Sequence, residues 1–239
     1  AAGDYSGQSV SLNASGDIIA IGARENDGIG PNAGHVRVYN WDGANWLQLG
    51  QDIDGEQAFD DFGYSVSLNS SGLRLAIGAP NNQGSGVSSG HVRIFEYSSG
   101  SWTQLGNDID GKAAGDESGR SISLNGDGNR IAIGARNNDG VNGTNTGHVR
   151  IFGYSSGSWI QLGQDVEGEG YDKAGVVDMS TTGNIIAIGG PGNSENGVVS
   201  GNVRIYEISG NVWNQLGSDI FGDSSGDLSG GSLSSNGNG

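Results

Sequence analysis

The chain has 239 residues, 47 of them glycine, and carries 27 acidic against 11 basic side chains for a net charge of −16. That balance leaves no basic patch for a nucleic acid and sets the chain against anionic membrane surfaces. No run of about 18 apolar residues exists to span a bilayer, and the absence of cysteine excludes disulfides and thiolate-bound zinc.

Ala1 opens the sequence without a methionine or a signal-like segment, which points to a processed protein or a piece of a longer one. The first predicted strand is "SVSLN" at 9–13, with small polar residues alternating with Val and Leu. A second, at 17–23, contains "IIAIGA", a continuous apolar run of the kind found where both faces of a sheet are covered. A third, "HVRVYNW" at 35–41, alternates again, and a fourth runs over 46–53 from Trp46 through "QLGQDI". Gly, Asn, Asp and Ser fill the segments between them, as turns require. No stretch of ten or more residues shows helical spacing of apolar positions.

The same four-strand unit then returns. Its opening glycine recurs at Gly7, Gly63, Gly119, Gly175 and Gly230, at spacings of 56, 56, 56 and 55. A second anchor agrees: "WLQLG" at Trp46, "WTQLG" at Trp102, "WIQLG" at Trp159 and "WNQLG" at Trp213. Four antiparallel strands in a unit of this length are the arithmetic of a β-propeller blade. The expected class is therefore all-β, with blades at about 7–62, 63–118, 119–174 and 175–229. Residues 230–239 would be the first strand of a further blade, left for a neighbouring blade or subunit to complete. An open solenoid of the same sheets is the alternative. The WD40 pattern is absent, because Trp41-Asp42 follows Gly34-His35 closely and does not recur.

The stretch "FGYSVSLNSSGLRLAIGAP" at 62–80 resembles the FG-GAP repeat of integrin-α-type β-propellers and of large secreted microbial and algal repeat proteins. Phe62-Gly63 and Gly78-Ala79-Pro80 carry the likeness literally; Gly22-Ala23, Gly134-Ala135 and Gly189-Gly190-Pro191 carry it loosely. The resemblance implies a calcium loop of the type D-x-D-x-D-G between the first two strands. Here that place holds only "NASGD", "NSSGL", "NGDGN" and "TTGNI", too few oxygen ligands for a calcium cage. The expectation is thus no required cofactor and a stability independent of calcium.

Several recurring side chains invite chemistry. His35, His91 and His148 share one position, which Asn202 takes in the fourth unit; a structural hydrogen bond that Asn can also make is the expected role. Arg37, Arg93, Arg150 and Arg204 recur in the third strand, either pairing with carboxylates or forming a ring for an anionic sugar. The fourth strand ends in acids, Asp52 and Asp54, Asp108 and Asp110, Asp165 and Glu167, then Asp219, and a further acid follows at Asp60, Asp116, Asp172 and Asp227. Asp108, Asp110 and Asp116 are the candidate Ca²⁺ ligands, with turn capping as the competing role. Trp41 stands outside the aromatic period and is the candidate for surface binding. Asn13, Asn69 and Asn142 lie in N-glycosylation sequons, relevant if the source is eukaryotic and secreted, with Asn13 and Asn69 expected on exposed turns. No nucleophile–base–orienter set, phosphate loop or metalloprotease motif is present. The sequence therefore reads as a non-enzymatic extracellular or cell-surface module for structure or adhesion. Its expected partners are copies of itself or neighbouring subunits, with glycan binding by a lectin-like propeller as the alternative.

Overall fold

A computed structural model describes residues 3–237. Every regular element among them is a strand, and the strands form four antiparallel sheets, one per repeat. The first holds β1 (Ser9–Leu12), β2 (Ile18–Ala23), β3 (His35–Trp41), β4 (Trp46–Gln48) and β5 (Ile53–Asp54). The second holds β6 (Ser65–Leu68), β7 (Arg74–Ala79), β8 (His91–Ser98), β9 (Ser101–Gln104) and β10 (Ile109–Asp110). The third holds β11 (Ser121–Leu124), β12 (Arg130–Ala135), β13 (His148–Ser155), β14 (Ser158–Gln161) and β15 (Val166–Glu167). The fourth holds β16 (Val176–Met179), β17 (Ile185–Gly190), β18 (Asn202–Ser209), β19 (Val212–Gln215) and β20 (Ile220–Phe221).

Each sheet meanders from its first strand to its fourth, and its fifth, short strand returns to the third. The continuous fourth strand expected over 46–53 is therefore two pieces. Gln48 of β4 lies opposite Tyr39, while Ile53 of β5 lies opposite Val36. Arg37 and Val38 thus face Leu49 to Asp52, so the outer edge bulges by two residues. Gly50 sits in that bulge at φ +78°, as Gly106, Gly163 and Gly217 do in theirs at +79°, +77° and +72°. The period-2 pattern hides the break because Trp46, Gln48 and Ile53 all look like strand residues.

The core lies between the sheets rather than within any one of them. Three clusters of buried side chains join the first blade to the second, the second to the third and the third to the fourth. This explains why the second strand of each unit is so apolar. In β7 and β12, each with a blade on either side, five successive residues are buried; in β2, in the first blade, burial partly alternates. The serines of "SVSL" also serve packing. Ser11 Oγ accepts the N–H of Leu68 at 2.9 Å, Ser67 Oγ that of Leu124 at 2.9 Å, and Ser123 Oγ that of Met179 at 3.1 Å. The first strands are stitched side by side around a common axis, where one cavity of about 350 Å³ is lined by Leu12, Asn13, Leu68, Asn69, Leu124 and Met179 among others. That radial arrangement is a β-propeller, not a linear solenoid. The first strands of successive blades pack on one another, β1 on β6, β6 on β11 and β11 on β16, and no comparable packing joins β1 to β16 among the described residues, so the sheets do not close into a ring. Residues 231–237 run beside β16 without forming a strand: Ser235 donates through N and Oγ to Asp178 Oδ2 at 2.6 and 2.7 Å. The last two residues of the expected further strand, 238 and 239, lie outside the described residues.

The "WxQLGxD" segment clasps one blade to the next. Trp102 Nε1–H donates to the carbonyl of Leu49 at 2.8 Å, Trp159 to Leu105 at 2.8 Å, and Trp213 to Leu162 at 2.9 Å. Gln51 also takes the N–H of Trp102 and donates to its carbonyl, and Gln164 does the same for Trp213. The indole packs so closely that a Cβ on Gly50 would come within 2.8 Å of Trp102 Cδ1. Trp102 is 3% exposed, whereas the equivalent Trp46 of the first blade, which has no described blade before it, is 44% exposed. Trp102→Ala should cost about 3–5 kcal/mol and Trp46→Ala well under about 1 kcal/mol, measured as shifts of the urea unfolding midpoint. Equal losses in the two variants would contradict the clasp.

Candidate functional site

Two places concentrate polar side chains. The first is the turn between the first two strands of each blade, where the resemblance would put calcium. Asn13 Oδ1 accepts the N–H groups of Asp17 and Ile18 at 3.1 and 3.0 Å, and its amide donates to Asp17 Oδ1 at 2.8 Å. Asn69 Oδ1 accepts from Leu73 and Arg74, and Asn125 Oδ1 from Asn129 and Arg130. Ser180 Oγ takes the corresponding place before Ile185. The turn is closed by a neutral side chain accepting two backbone amides, the Asx geometry that makes Asn a turn residue. Its donor set does not fit a calcium cage, since each turn holds at most one carboxylate, Asp17 in the first and Asp127 in the third, and the Asn side-chain oxygen is taken by backbone amides. This geometry also corrects the expectation that Asn13 and Asn69 are exposed: they are 7% and 6% exposed, and the Asn13 amide nitrogen that a sugar would occupy is committed within its own turn. Asn142 is exposed, and its amide donates to the carbonyl of Gly168 at 3.0 Å.

The second place is the crevice between blades, at the start of the third strand. The Gln and Asp of "QLGxD" meet across the bulge: Gln48 Nε2 donates to Asp52 Oδ1 at 2.7 Å, Gln104 to Asp108 at 2.6 Å, Gln161 to Asp165 at 2.8 Å and Gln215 to Asp219 at 2.7 Å. The other carboxylate oxygen turns toward the third strand. In the fourth blade it accepts the Asn202 amide at 3.0 Å. In the first three it faces a histidine, with Nδ1 of His35, His91 and His148 at 3.9, 3.7 and 3.8 Å. Those separations are too long for hydrogen bonds. The expected shared hydrogen bond is therefore made by the asparagine and not by the histidines. Burial holds the imidazoles neutral, pushing His91 and His148 down to about 4 against the opposing pull of Asp108 and Asp165.

The arginines of the same strand reach backward. Arg37 forks onto Asp52 at 2.8–3.0 Å within its own blade. Arg93 donates to Gln104 Oε1 and to the carbonyl of Asp54, and Arg150 to the carbonyl of Asp110. Arg204 bridges Asp219 at 2.6 Å and the third blade's Asp172 at 3.1 Å. Their hydrogen bonds go to neighbouring strands and blades.

The three candidate calcium ligands fall in different settings. Asp108 sits in the crevice beside His91. Asp110 lies on β10, opposite His91 across the sheet. Asp116 is buried, accepting the Ala113 N–H at 2.9 Å and the Asn138 amide at 3.2 Å. Asp60 with Asn82, and Asp172 with Asn193, repeat the Asp116 arrangement. Among the described residues the group of three whose ligand atoms lie within 4.8 Å of one another is Glu56, His91 and Asp108. Glu56 escaped the sequence reading because it belongs to the preceding blade. The signal was the residue after each outer-edge Asp-Gly or Glu-Gly: Glu56, Lys112 and Glu169.

Trp41 occupies the same strand position as Tyr97 and Tyr154, so it does not break the period. Each of these rings tilts against the clasp tryptophan of its own blade, at 5.5, 5.2 and 5.1 Å. Trp41 is exposed because Trp46 is.

Residues 109–152, from β10 into β13, match the FG-GAP repeat family. No curated protein matches the chain. Among solved structures, a Bacteroides uniformis ATCC 8492 protein provisionally named a 6-phosphogluconolactonase aligns with TM-score 0.61 and 13% identity, over 90% of this chain and 55% of its own. Kuenenia stuttgartiensis hydrazine synthase aligns with TM-score 0.55 and 14% identity, over 87% of this chain and 53% of its own. The chain spans just over half the length of these structures, and at such identities the likeness is one of β-propeller fold alone.

Two outcomes follow from the site. Calcium added to chelator-treated protein should leave the thermal midpoint unchanged; a rise of many degrees would show that carboxylates outside the Asn-closed turns bind it. The second outcome concerns acid. The folded-state pKa values of His91 and His148 lie below the unfolded value, so their contribution is present above about pH 6.5 and is lost as pH falls toward about 4, up to about 3 kcal/mol each. Arg93 and Asp108 face His91; Arg150, Asp116, Lys112 and Asp165 act on His148. Burial raises the carboxyls of Asp60 and Asp61, which works in the opposite sense at the acid end. The unfolding midpoint should fall between pH 6.5 and 4.5, and the double variant His91→Asn, His148→Asn should flatten that slope. An unchanged slope would exclude the histidines as its source.

Proposed function

We propose that the chain is a non-enzymatic module of an extracellular structural or adhesion array, built to dock propeller blades face to face. The supporting observation is the clasp and its two unfilled halves. At the first blade Trp41 and Trp46 are exposed side by side. At the fourth, Leu216 is exposed, and a Cβ on Gly217 would meet nothing within 4 Å, where the equivalent Gly50, Gly106 and Gly163 each receive the indole of the following blade. One face thus presents the indole, and the other presents the carbonyl and the glycine that receive it. A contact of this head-to-tail kind propagates unless its rotation closes a ring. The match of one repeat to the FG-GAP family, the acidic glycine-rich composition and the tandem period support an extracellular setting. The enzyme names among the structural neighbours come with 13–14% identity, which carries no activity to this chain.

A carbohydrate-binding role is the second reading, favoured by the exposed Trp41–Trp46 pair, whose tilted rings offer apolar faces to a sugar. Mass in solution, measured by light scattering across concentration, separates the two. Docking predicts association that rises with concentration and weakens in Trp46→Ala. A monodisperse monomer at every concentration would overturn it, and retention on a glycan array that depends on Trp41 would establish the second reading.

A further inference from the structure

The three blade-to-blade crevices share one backbone geometry but carry different charges. The residue that follows the outer-edge Gly of one blade leans toward the Asp beside the next blade's third strand. Between the second and third blades this residue is Lys112, and its ammonium Nζ pairs with Asp165 Oδ2, the oxygen that faces His148 Nδ1. The lysine closes that crevice with a built-in cation. Between the third and fourth blades it is Glu169, near Arg204 at 3.9 Å, and the histidine is replaced by Asn202, whose amide fills the carboxylate's remaining place. Between the first and second blades it is Glu56, and the His–Asp pair is retained as His91 and Asp108. An anion thus stands where the neighbouring crevice has its ammonium.

We propose that Glu56, His91 and Asp108 form a binding site for a divalent transition cation, best fitted to Zn²⁺, that fastens the first blade to the second. One ligand atom from each lies within 4.8 Å of the others. Tetrahedral zinc with bonds of 2.0–2.2 Å needs separations of roughly 3.3 Å. Glu56 is exposed and belongs to a loop, so it can close that gap by a side-chain rotation. The histidine supplies the independent observation. Its side chain is 2% exposed; Nδ1 points at the Asp108 carboxylate at 3.7 Å, beyond hydrogen-bond reach, and Nε2 is buried without a partner. An ion at Nδ1 would take the lone pair that faces Asp108, with the ring proton left on Nε2.

Arg93 is the one cation in the crevice. Its guanidinium is stacked on Phe62 and Phe95 at 5.3 and 5.0 Å, and its hydrogen bonds go to Gln104 and the Asp54 carbonyl. It approaches Glu56 and Asp108 only at 3.6 and 3.9 Å, so both carboxylates keep a free oxygen for a metal. One imidazole nitrogen with two carboxylates suits a borderline first-row ion, with water completing the shell, and suits Ca²⁺ poorly.

The experiment is calorimetric titration of chelator-treated protein with ZnCl₂. One tight site is expected, together with a higher thermal midpoint in zinc. Glu56→Lys places a lysine where Lys112 stands one blade later and should remove the site while keeping the fold. The exposed-site change Glu56→Gln and the change His91→Asn, which copies Asn202, should each raise Kd at least about ten-fold. No zinc-binding heat in the parent chain would overturn the proposal. So would parent-like zinc affinity in Glu56→Gln and His91→Asn, which would assign the binding to scattered surface acids. Displacement of zinc by equimolar calcium would overturn the assignment of the ion.

Discussion

The indole of Trp102 lies on the glycine of the preceding blade and donates to the carbonyl beside it, and the rest of the structure depends on contacts of that kind. A four-stranded sheet with apolar residues on both faces cannot be stable alone in water. Here the second and third strands carry that surface, and it disappears only when another blade covers it. The bulge at "LG" is what permits the covering. It bends the outer edge and turns the Leu carbonyl outward, and its glycine leaves room for a ring. A straight fourth strand would have kept that carbonyl for its own ladder. Stability in such an array is close to a sum over neighbour interfaces, so the interface is the unit on which selection and mutation act.

Because the clasps repeat, the chemistry that varies between blades stands out against them. The crevice beside the third strand is the clearest case. Its framework of Gln, Asp and a buried His or Asn is common to all blades, while the residue arriving from the preceding blade changes sign from Glu56 to Lys112. The lysine pairs with the aspartate beside His148, whereas the glutamate adds to the negative charge beside His91. Neighbouring interfaces of one fold therefore differ in what they ask of the solution around them.

Much of this fold is legible in the sequence because the repeat supplies its own alignment. The 56-residue period, the apolar second strand and the turn residues specify four sheets without reference to any other protein. Three features were not legible, each for a physical reason. The break between β4 and β5 is hidden because Leu49 and Ile53 keep strand-like character on either side of Gly50. The burial of Asn13 and Asn69 is hidden because a turn sequence reads as exposed, while here the axial strands of adjacent blades enclose it. The Glu56–His91–Asp108 group is hidden because its members come from two blades and reading repeats in register compares equivalent positions, not facing ones. Trp41 shows the same lesson in reverse: it looked exceptional in the sequence, and in the sheet it is the counterpart of Tyr97.

That distinction between equivalent and facing positions decides where function can arise in such a molecule. Equivalent positions must stay compatible with the clasp, so they offer little freedom; Gly50, Gly106 and Gly163 accept no side chain without displacing an indole. Facing positions across a crevice are tied only by charge and size, and one substitution there alters one interface while the other interfaces keep their geometry. The exposed indoles of the first blade and the open glycine of the fourth are the limiting case, facing positions with no described blade against them. What fills them is constrained by the same geometry that fills the internal clasps: an indole against a positive-φ glycine, with a carbonyl to receive its N–H. A partner lacking that pair would leave a large aromatic surface wet, whereas another blade of this repeat would cover it with no new chemistry.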